Sequence, residues 1–174
     1  MTDSADDVAP LDDFPPEPLL TAEGCVRDEW LDHNGHMNVA YYLLVFDHAT
    51  DRFHALLGKN ADYIVRTQCS TFALEQHLTY QRELLPRAPY VVRTRLVDHD
   101  HKRIHMLHRM FHGSEGWLAA TCESISMHID MTARRSTPFA EEIASRLARL
   151  ATAHATLAPD EYVGWRVGIR RRTS

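Results

Sequence analysis

Apolar residues recur every three or four positions between residues 39 and 57, and this spacing predicts one long helix. The apolar positions are Val39, Tyr42, Leu43, Phe46, Ala49, Phe53, Leu56 and Leu57. They form more than one stripe, so we expect the helix to be largely buried. Asn38 is a suitable N-cap for this helix, and Gly58 is a suitable stop.

Alternating polar and apolar residues after the helix predict four strands, over residues 67–85, 90–100, 103–112 and 117–130. Short connections separate them, so pairing of consecutive antiparallel strands is the simplest topology. A further strand is predicted at residues 23–31, and a last helix after the cap pair Thr137 and Pro138. A buried helix followed by a long meander indicates an α+β fold, in which a curved antiparallel sheet of about five strands wraps around the central helix.

Length and composition indicate one globular domain, because 44% of the 174 residues are apolar. Residues 1–20 hold six acids, four prolines and no base, which predicts an acidic leader before a domain at residues 21–157 and a basic tail at 158–174. After the leader, 19 bases face 18 acids. Such a nearly neutral body has no broad positive field for nucleic acid, so we exclude that class of partner.

No stretch approaches eighteen uninterrupted apolar residues, and the N-terminus is acidic where a signal peptide is basic. We therefore expect a cytoplasmic protein without a membrane partner. Four histidines, at positions 99, 101, 105 and 108, have a spacing that resembles a metal-binding site. His105 and His108 fall on opposite faces of one predicted strand, however, so no metal is expected.

The segment from Asp32 to Tyr41 reads Asp-His-Asn-Gly-His-Met-Asn-Val-Ala-Tyr and lies where the long helix begins. Gly35 can adopt a positive φ, and the first N–H groups of a helix have no internal partner, so this turn can polarise a carbonyl oxygen. Asp32 can activate a water molecule or attack directly. The alternative is that Asp32 and Asn38 only cap and brace the turn.

The string Asp-x-x-Gly-His-x-Asn-x-x-Tyr, from Asp32 to Tyr41, resembles the motif of the 4-hydroxybenzoyl-CoA thioesterase-like branch of the hotdog superfamily. The resemblance implies a hotdog fold and hydrolysis of an acyl-CoA thioester without cofactor or metal. It also implies active sites at the interface of a homodimer, which is often assembled further into a dimer of dimers. Asp32 would be the nucleophile or general base, Gly35 part of the carbonyl-polarising turn, and His36, Asn38 and Tyr41 its positioning residues.

Residues 30–47, 72–77 and 164–171 resemble, more narrowly, the thioesterases of carnitine breakdown, which hydrolyse betainyl-CoA to glycine betaine and CoA. Aromatic faces attract a trimethylammonium group, and a carboxylate such as Glu75 would add charge attraction. The aromatic candidates are Trp30, Tyr41, Tyr42, Phe72, Tyr80 and Trp117. Packing in the core or in an interface is the alternative role for each of them.

Four basic residues flank a predicted hairpin tip and the last helix, where they can meet the phosphates of CoA: Lys102, Arg103, Arg134 and Arg135. A solvated basic loop is the alternative. Three further carboxylates can share the chemistry: Glu75, Glu123 and Asp47. Asp47 lies on the central helix and is the reserve nucleophile. For the whole chain, a non-catalytic acyl-CoA-binding hotdog module and a thioesterase for another short or aromatic acyl-CoA stay open as alternatives.

Overall fold

A computed structural model of the chain describes residues 9–164 and 166–167. The helices of this part are α1 (Val39–Leu56), α2 (Ala61–Thr67) and α3 (Glu141–His154). Its strands are β1 (Leu19–Cys25), β2 (Cys69–Tyr80), β3 (Pro89–His99), β4 (Arg103–His112), β5 (Leu118–Asp130) and β6 (Arg135–Ser136). Residues 168–174 of the predicted basic tail lie outside the described residues.

The strands form one antiparallel sheet in the order β1-β3-β4-β5-β2, with the two-residue β6 beside β5. The predicted α+β hotdog arrangement of sheet and central helix is confirmed, but pairing of consecutive strands is wrong for β2, which pairs with β5. The chain leaves the sheet after Tyr80, and Leu84 packs in the core beside α1. This excursion prevents a tight β2–β3 hairpin, so β1 and β2 become the two edges of the sheet.

Helix α1 lies on one face of the sheet, and its apolar side chains join two buried clusters. Phe46 belongs to the cluster around the first half of the helix, and Phe53 to the cluster around the second half. Both rings are fully buried, and burial of one such side chain stabilises the fold by about 1.5–3 kcal/mol. Asn38 accepts a hydrogen bond from the N–H of Ala40, and Gly58 has a φ of +86°, so both predicted ends of the helix are confirmed.

Two local predictions at the start of the domain are wrong. The strand expected at residues 23–31 lies at Leu19–Cys25, where it pairs with β3, while Asp28–Trp30 forms a single 3-10 turn. Burial of Trp30 against Tyr90 favours this turn over a longer strand. The sequence pattern also missed α2, which begins where the Asn60 side chain accepts a hydrogen bond from the N–H of Tyr63.

The last helix begins later than predicted, at Glu141 instead of next to Thr137 and Pro138. The N–H of Thr137 donates to the carbonyl of His128, and the N–H of Phe139 donates to the carbonyl of His101. These long-range hydrogen bonds hold the chain extended beside the sheet, so a local cap signal is overridden there.

The residues before β1 contact the domain through their backbone. The N–H of Leu11 donates to the carbonyl of Leu56, and the side chain of Arg149 donates to the carbonyl of Asp12. Strand β1 begins inside the predicted leader, and the division into leader, domain and tail stays a prediction. Within the described residues, no helix is long and apolar enough to cross a membrane.

One buried histidine links the sheet to α1. The Nδ1 of His108 lies 2.7 Å from the hydroxyl of Thr94, and its Nε2 lies 3.1 Å from the hydroxyl of Thr50 on the helix. Burial lowers the pKa of His108 to about 3, because a charged imidazole is costly in this apolar environment. The ring is therefore neutral in the folded protein near pH 7.

We expect this histidine to make the fold acid-sensitive. Its pKa is lower in the folded than in the unfolded chain, so stability present above about pH 6.5 is lost as the pH falls toward 3. Between pH 6 and pH 4, the unfolded chain binds one proton at His108 that the folded chain does not bind. Replacing His108 with Gln should therefore lower the slope of unfolding free energy against pH by about 1.4 kcal/mol per pH unit. Urea denaturation at several pH values measures the slope, with the exposed His48→Gln as control. An unchanged slope in the His108 variant would contradict this account.

Candidate active site

The turn before α1 closes on itself through backbone hydrogen bonds. The N–H of Asp32 donates to the carbonyl of His36 at 3.0 Å, and the N–H of Gly35 donates to the carbonyl of Asp32 at 3.1 Å. Gly35 has a φ of +78°, which side-chain-bearing residues adopt at a cost, although a Cβ there would meet no atom within 4 Å. The glycine is therefore required by the backbone conformation and not by lack of space.

The carboxylate of Asp32 is held inside this turn and is 16% exposed. Its Oδ1 accepts a hydrogen bond of 2.8 Å from the N–H of Asn34 and lies 3.8 Å from Nδ1 of His36. Burial raises the pKa of Asp32, but the hydrogen bonds from Asn34 and the nearby His36 and His33 rings outweigh that effect and lower the pKa below its ordinary value. Asp32 is therefore an ionised acid near neutral pH, as a nucleophile or general base must be.

The turn and the first residue of α1 offer free backbone donors. The N–H of Gly35 is used within the turn, whereas the N–H groups of His36 and Val39 meet no acceptor among the described residues. Val39 is the first residue of α1, where the helix dipole adds positive potential. These two N–H groups are the donors that the turn offers to a developing oxyanion.

Two residues of the loop between β2 and β3 support the turn, and sequence analysis missed both. Glu83 lies 3.8 Å from Nε2 of His36. The carbonyl of Leu84 accepts from the N–H of Met37 at 2.9 Å, and its N–H donates to the hydroxyl of Tyr42 at 3.0 Å. These residues are more than forty positions from Asp32 along the chain, so no local pattern could indicate them.

The predicted aromatic residues separate into packed and exposed rings. Trp30 is 7% exposed and stacks on Tyr41 at 5.3 Å between ring centroids, while the guanidinium of Arg27 lies 5.1 Å from the Trp30 ring. Tyr42 is buried and meets the edge of Tyr80 at 5.4 Å. Trp30 and Tyr42 thus have packing roles, although both lie beside the candidate site.

The other predicted residues of the acyl pocket lie on the edge strand β2. Tyr80 is 50% exposed and Phe72 is 46% exposed. Tyr80 pairs with Ala120 near one end of the sheet, and Tyr42 connects it to the beginning of α1. Phe72 lies eight residues before Tyr80 on this strand, and Glu75 lies five residues before it. The side chain of Glu75 is exposed. A single chain therefore brings Tyr80 toward Asp32, but not Phe72 or Glu75.

The four basic residues predicted for CoA phosphates gather at the other end of α1. Nζ of Lys102 lies 3.2 Å from the hydroxyl of Ser136, which follows Arg134 and Arg135 in the chain. Arg103 forms an ion pair of 2.7 Å with Asp100. The neighbouring Ile104 packs around the second half of α1, whereas the turn with Asp32 precedes the first residue of that helix.

The remaining candidates lie away from the turn. Glu123 accepts hydrogen bonds from Nε2 of His105 at 2.8 Å and from the N–H of Gly164 at 2.9 Å. Asp47 is exposed on α1. In the described part of the chain, no three His, Cys, Asp or Glu residues are arranged to hold a metal ion.

Two cavities among the described residues lie elsewhere. One, of about 360 Å³, lies beside Arg93 and Arg109, and the other, of about 60 Å³, lies beside Lys59. Neither is lined by Asp32. Asp32 therefore faces neither of these two cavities.

Comparison with known proteins agrees with this geometry. Residues 26–147 match the family described as the thioesterase-like superfamily. Betainyl-CoA thioesterase of Pseudomonas aeruginosa is 38% identical over 87% of this chain and 95% of its own length, and an L-carnitine dehydrogenase/betainyl-CoA thioesterase of Ruegeria pomeroyi is 36% identical over 85% of this chain and 30% of its own length.

A Staphylococcus aureus protein solved in complex with CoA superposes with a TM-score of 0.82 and 29% identity, over 88% of this chain and 98% of that one. The matched region contains the turn at Asp32 and every strand from β2 to β5. The chain therefore belongs to the thioesterase-like superfamily and is an acyl-CoA thioesterase of the hotdog fold.

Proposed function

We propose that this chain hydrolyses betainyl-CoA to glycine betaine and CoA, with Asp32 as the reacting carboxylate. The observation that carries the proposal is an ionised Asp32 held beside the free N–H groups of His36 and Val39. The P. aeruginosa relative supports the choice of acyl group. In this proposal, the Asp32 carboxylate and the N-terminus of α1 carry out the hydrolysis together.

Two routes fit one carboxylate. In the first, Asp32 takes a proton from water while the water oxygen attacks the thioester carbon, and the C–S bond then breaks to release CoA. In the second, a carboxylate oxygen of Asp32 attacks that carbon and expels CoA, and water hydrolyses the resulting anhydride. In both routes the negative charge develops on the carbonyl oxygen, where the N–H groups of His36 and Val39 stabilise it. Asn38 and His36 hold the turn in shape.

Replacing Asp32 with Asn should lower kcat by about 10²–10⁴-fold, because the base or nucleophile is lost. The affinity for CoA, measured by calorimetry, should change little, because Asp32 is not a phosphate ligand. Free-thiol release from betainyl-CoA measures the activity, and Asp47→Asn on the exposed side of α1 is the control. Full activity of Asp32→Asn, or loss of activity only in Asp47→Asn, would contradict this assignment. An inactive native protein that still binds acyl-CoA would support the non-catalytic module instead.

The rings with free faces are the best candidates to recognise a trimethylammonium group. Arg27 and Tyr41 cover Trp30, whereas Tyr80 and Phe72 are each about half exposed. A cation over an aromatic face gains about 0.5–2 kcal/mol, and more when it is desolvated. Glu75 on the same strand adds negative charge. We therefore assign the acyl group to Tyr80, Phe72 and Glu75.

This assignment is tested by a neutral substrate of the same shape. Betainyl-CoA should have a higher kcat/KM than 3,3-dimethylbutyryl-CoA, in which carbon replaces the quaternary nitrogen, by about 2- to 30-fold. Tyr80→Leu should reduce this ratio through a higher KM for betainyl-CoA, with Leu20→Ala, an exposed residue on the opposite edge strand β1, as control. Equal kcat/KM values for the two substrates, or faster turnover of benzoyl-CoA, would replace betainyl-CoA with another acyl group while leaving hydrolysis intact.

We propose that the protein acts as a homodimer in which the β2 edges pair. Residues 72–75 in the middle of β2 are all exposed, and Phe72 and Leu74 are large apolar side chains. Val39 and Leu43 at the beginning of α1 are also exposed, at 59% and 40%. An uncovered edge strand with apolar side chains is a ready pairing surface, and a two-fold axis makes it self-complementary.

Antiparallel pairing of two β2 strands would place the start of one strand beside the end of the other. Phe72 and Glu75 of the partner subunit would then approach Tyr80 and Asp32 of this subunit. Three of the basic residues lie at the same end of the sheet as Cys69, namely Lys102, Arg134 and Arg135. The same pairing would bring them closer to Asp32 of the other subunit, where they could bind the phosphates of CoA. Arg103 is the weakest of the four candidates, because Asp100 already pairs with it.

Complementation between two impaired variants tests this shared site. Asp32→Asn should lose activity, and Glu75→Gln should raise KM for betainyl-CoA. Mixing the two after reversible dissociation should restore about a quarter of wild-type activity at low substrate concentration, because half of the dimers are mixed and each contains one intact site. No recovery, with mixed dimers demonstrated by mass spectrometry, would place Glu75 and Asp32 in separate or same-chain sites. The dimer of dimers and the cytoplasmic location stay predictions from the sequence.

A further inference from the structure

A second pocket lies on the face of the sheet opposite α1. Val92, Thr94 and Leu96 of β3 are buried toward α1, so the alternating residues Arg93 and Arg95 point to the other face. The sheet therefore separates this pocket from α1 and from the turn that contains Asp32. The cavity measures about 360 Å³, which lies within the range of small-molecule sites.

Three arginines converge in this pocket from neighbouring strands. Arg93 of β3 stands directly opposite Arg109 of β4, and Arg95 stands opposite Leu107, so the three guanidinium groups share one face. Like charges directly opposite each other on adjacent strands destabilise a sheet unless something compensates them. The arrangement therefore needs nearby negative charge.

The chain supplies part of that charge. Residues 157–164 cross the outer face of the sheet, and we name this segment the C-terminal strap. Asp160 of the strap pairs with Arg109 at 3.0 Å. Arg93 donates to the neutral carbonyl of Pro18 at 3.2 Å, and Arg95 donates to that of Ala158 at 2.8 Å.

Donors remain unused in this cluster. The Nε–H groups of Arg95 and Arg109 are buried, and no described residue accepts a hydrogen bond from either of them. Buried donors without acceptors cost free energy and indicate a missing partner. One wall of the cavity is apolar, formed by Leu107 and Phe111. Glu161 also lines the cavity, so three guanidinium groups share it with two carboxylates. The missing partner therefore combines an oxyanion with an apolar body.

The geometry points to a binding site for a small organic anion on this outer face, separate from the thioester site. Its carboxylate or phosphate would contact Arg93, Arg95 and Arg109, and its apolar part would contact Leu107 and Phe111. Because Ala158 and Asp160 contact two of the same arginines, the strap forms one wall of the site, and binding there would order it.

Two probes with one ring and different oxyanions test this site, namely benzoate and phenyl phosphate. Calorimetry on the full chain carrying Asp32→Asn, with and without saturating CoA, should detect binding of at least one probe that CoA does not displace. The stronger probe identifies whether carboxylate or phosphate is preferred. Arg93→Gln should weaken binding by about 10- to 100-fold, since a hydrogen-bonded charge pair is lost. Arg87→Gln, which removes an exposed arginine paired with Asp28, is the matched control.

Arg95→Gln provides a second test, which does not depend on whether Arg93→Gln folds. Arg95→Gln should weaken the same probe while leaving the thermal transition of the unliganded protein within a few degrees of the parent. Absence of binding by both probes would overturn the proposal. Competition with CoA, or equal binding by the Arg93, Arg95 and Arg87 variants, would also overturn it, because the probe would then occupy the thioester site or the general surface.

Discussion

The structure depends on how the N-terminus of α1 is held. The first N–H groups of a helix have no partner within the helix, so other segments must position them. Here the Asn38 side chain caps the helix, Trp30 and Leu84 accept from the preceding residues, and Gly35 reverses the chain. The same turn holds the Asp32 carboxylate and leaves the N–H groups of His36 and Val39 without an acceptor among the described residues. In the mechanism proposed above, helix capping and catalysis would be two results of one turn.

The proposed homodimer follows from what the turn lacks within one chain. The turn supplies an acid and an oxyanion site, but the basic residues lie at the far end of α1, and much of the apolar surface on β2 is uncovered. The proposed pairing of β2 edges would meet both needs at once, because an antiparallel two-fold exchanges the ends of the strand. In this proposed dimer, the outer face of the sheet, which carries the arginine pocket, stays accessible to ligands.

Sequence reasoning predicts what depends on local pattern. The limits of α1 and the strands β3, β4 and β5 follow from periodicity and capping. The motif indicates the turn with Asp32 and Gly35, and the catalytic role of these residues stays a prediction. Sequence reasoning fails where distant segments decide. Thr137 and Pro138 form a good helix cap, yet hydrogen bonds to the carbonyls of His128 and His101 keep that segment extended. Glu83 beside His36 and the pairing of β2 with β5 are likewise products of tertiary packing, which no local signal records.

The most direct measurement is the carboxylate ¹³C NMR titration of Asp32, with and without bound CoA and glycine betaine. The account predicts a pKa below the ordinary aspartate value in the free protein, because Asn34 and His36 stabilise the charge, and a change of the Asp32 resonance when the products bind. A pKa at or above the ordinary value, or a resonance that the products leave unchanged, would contradict the claim that Asp32 is the ionised acid facing the thioester.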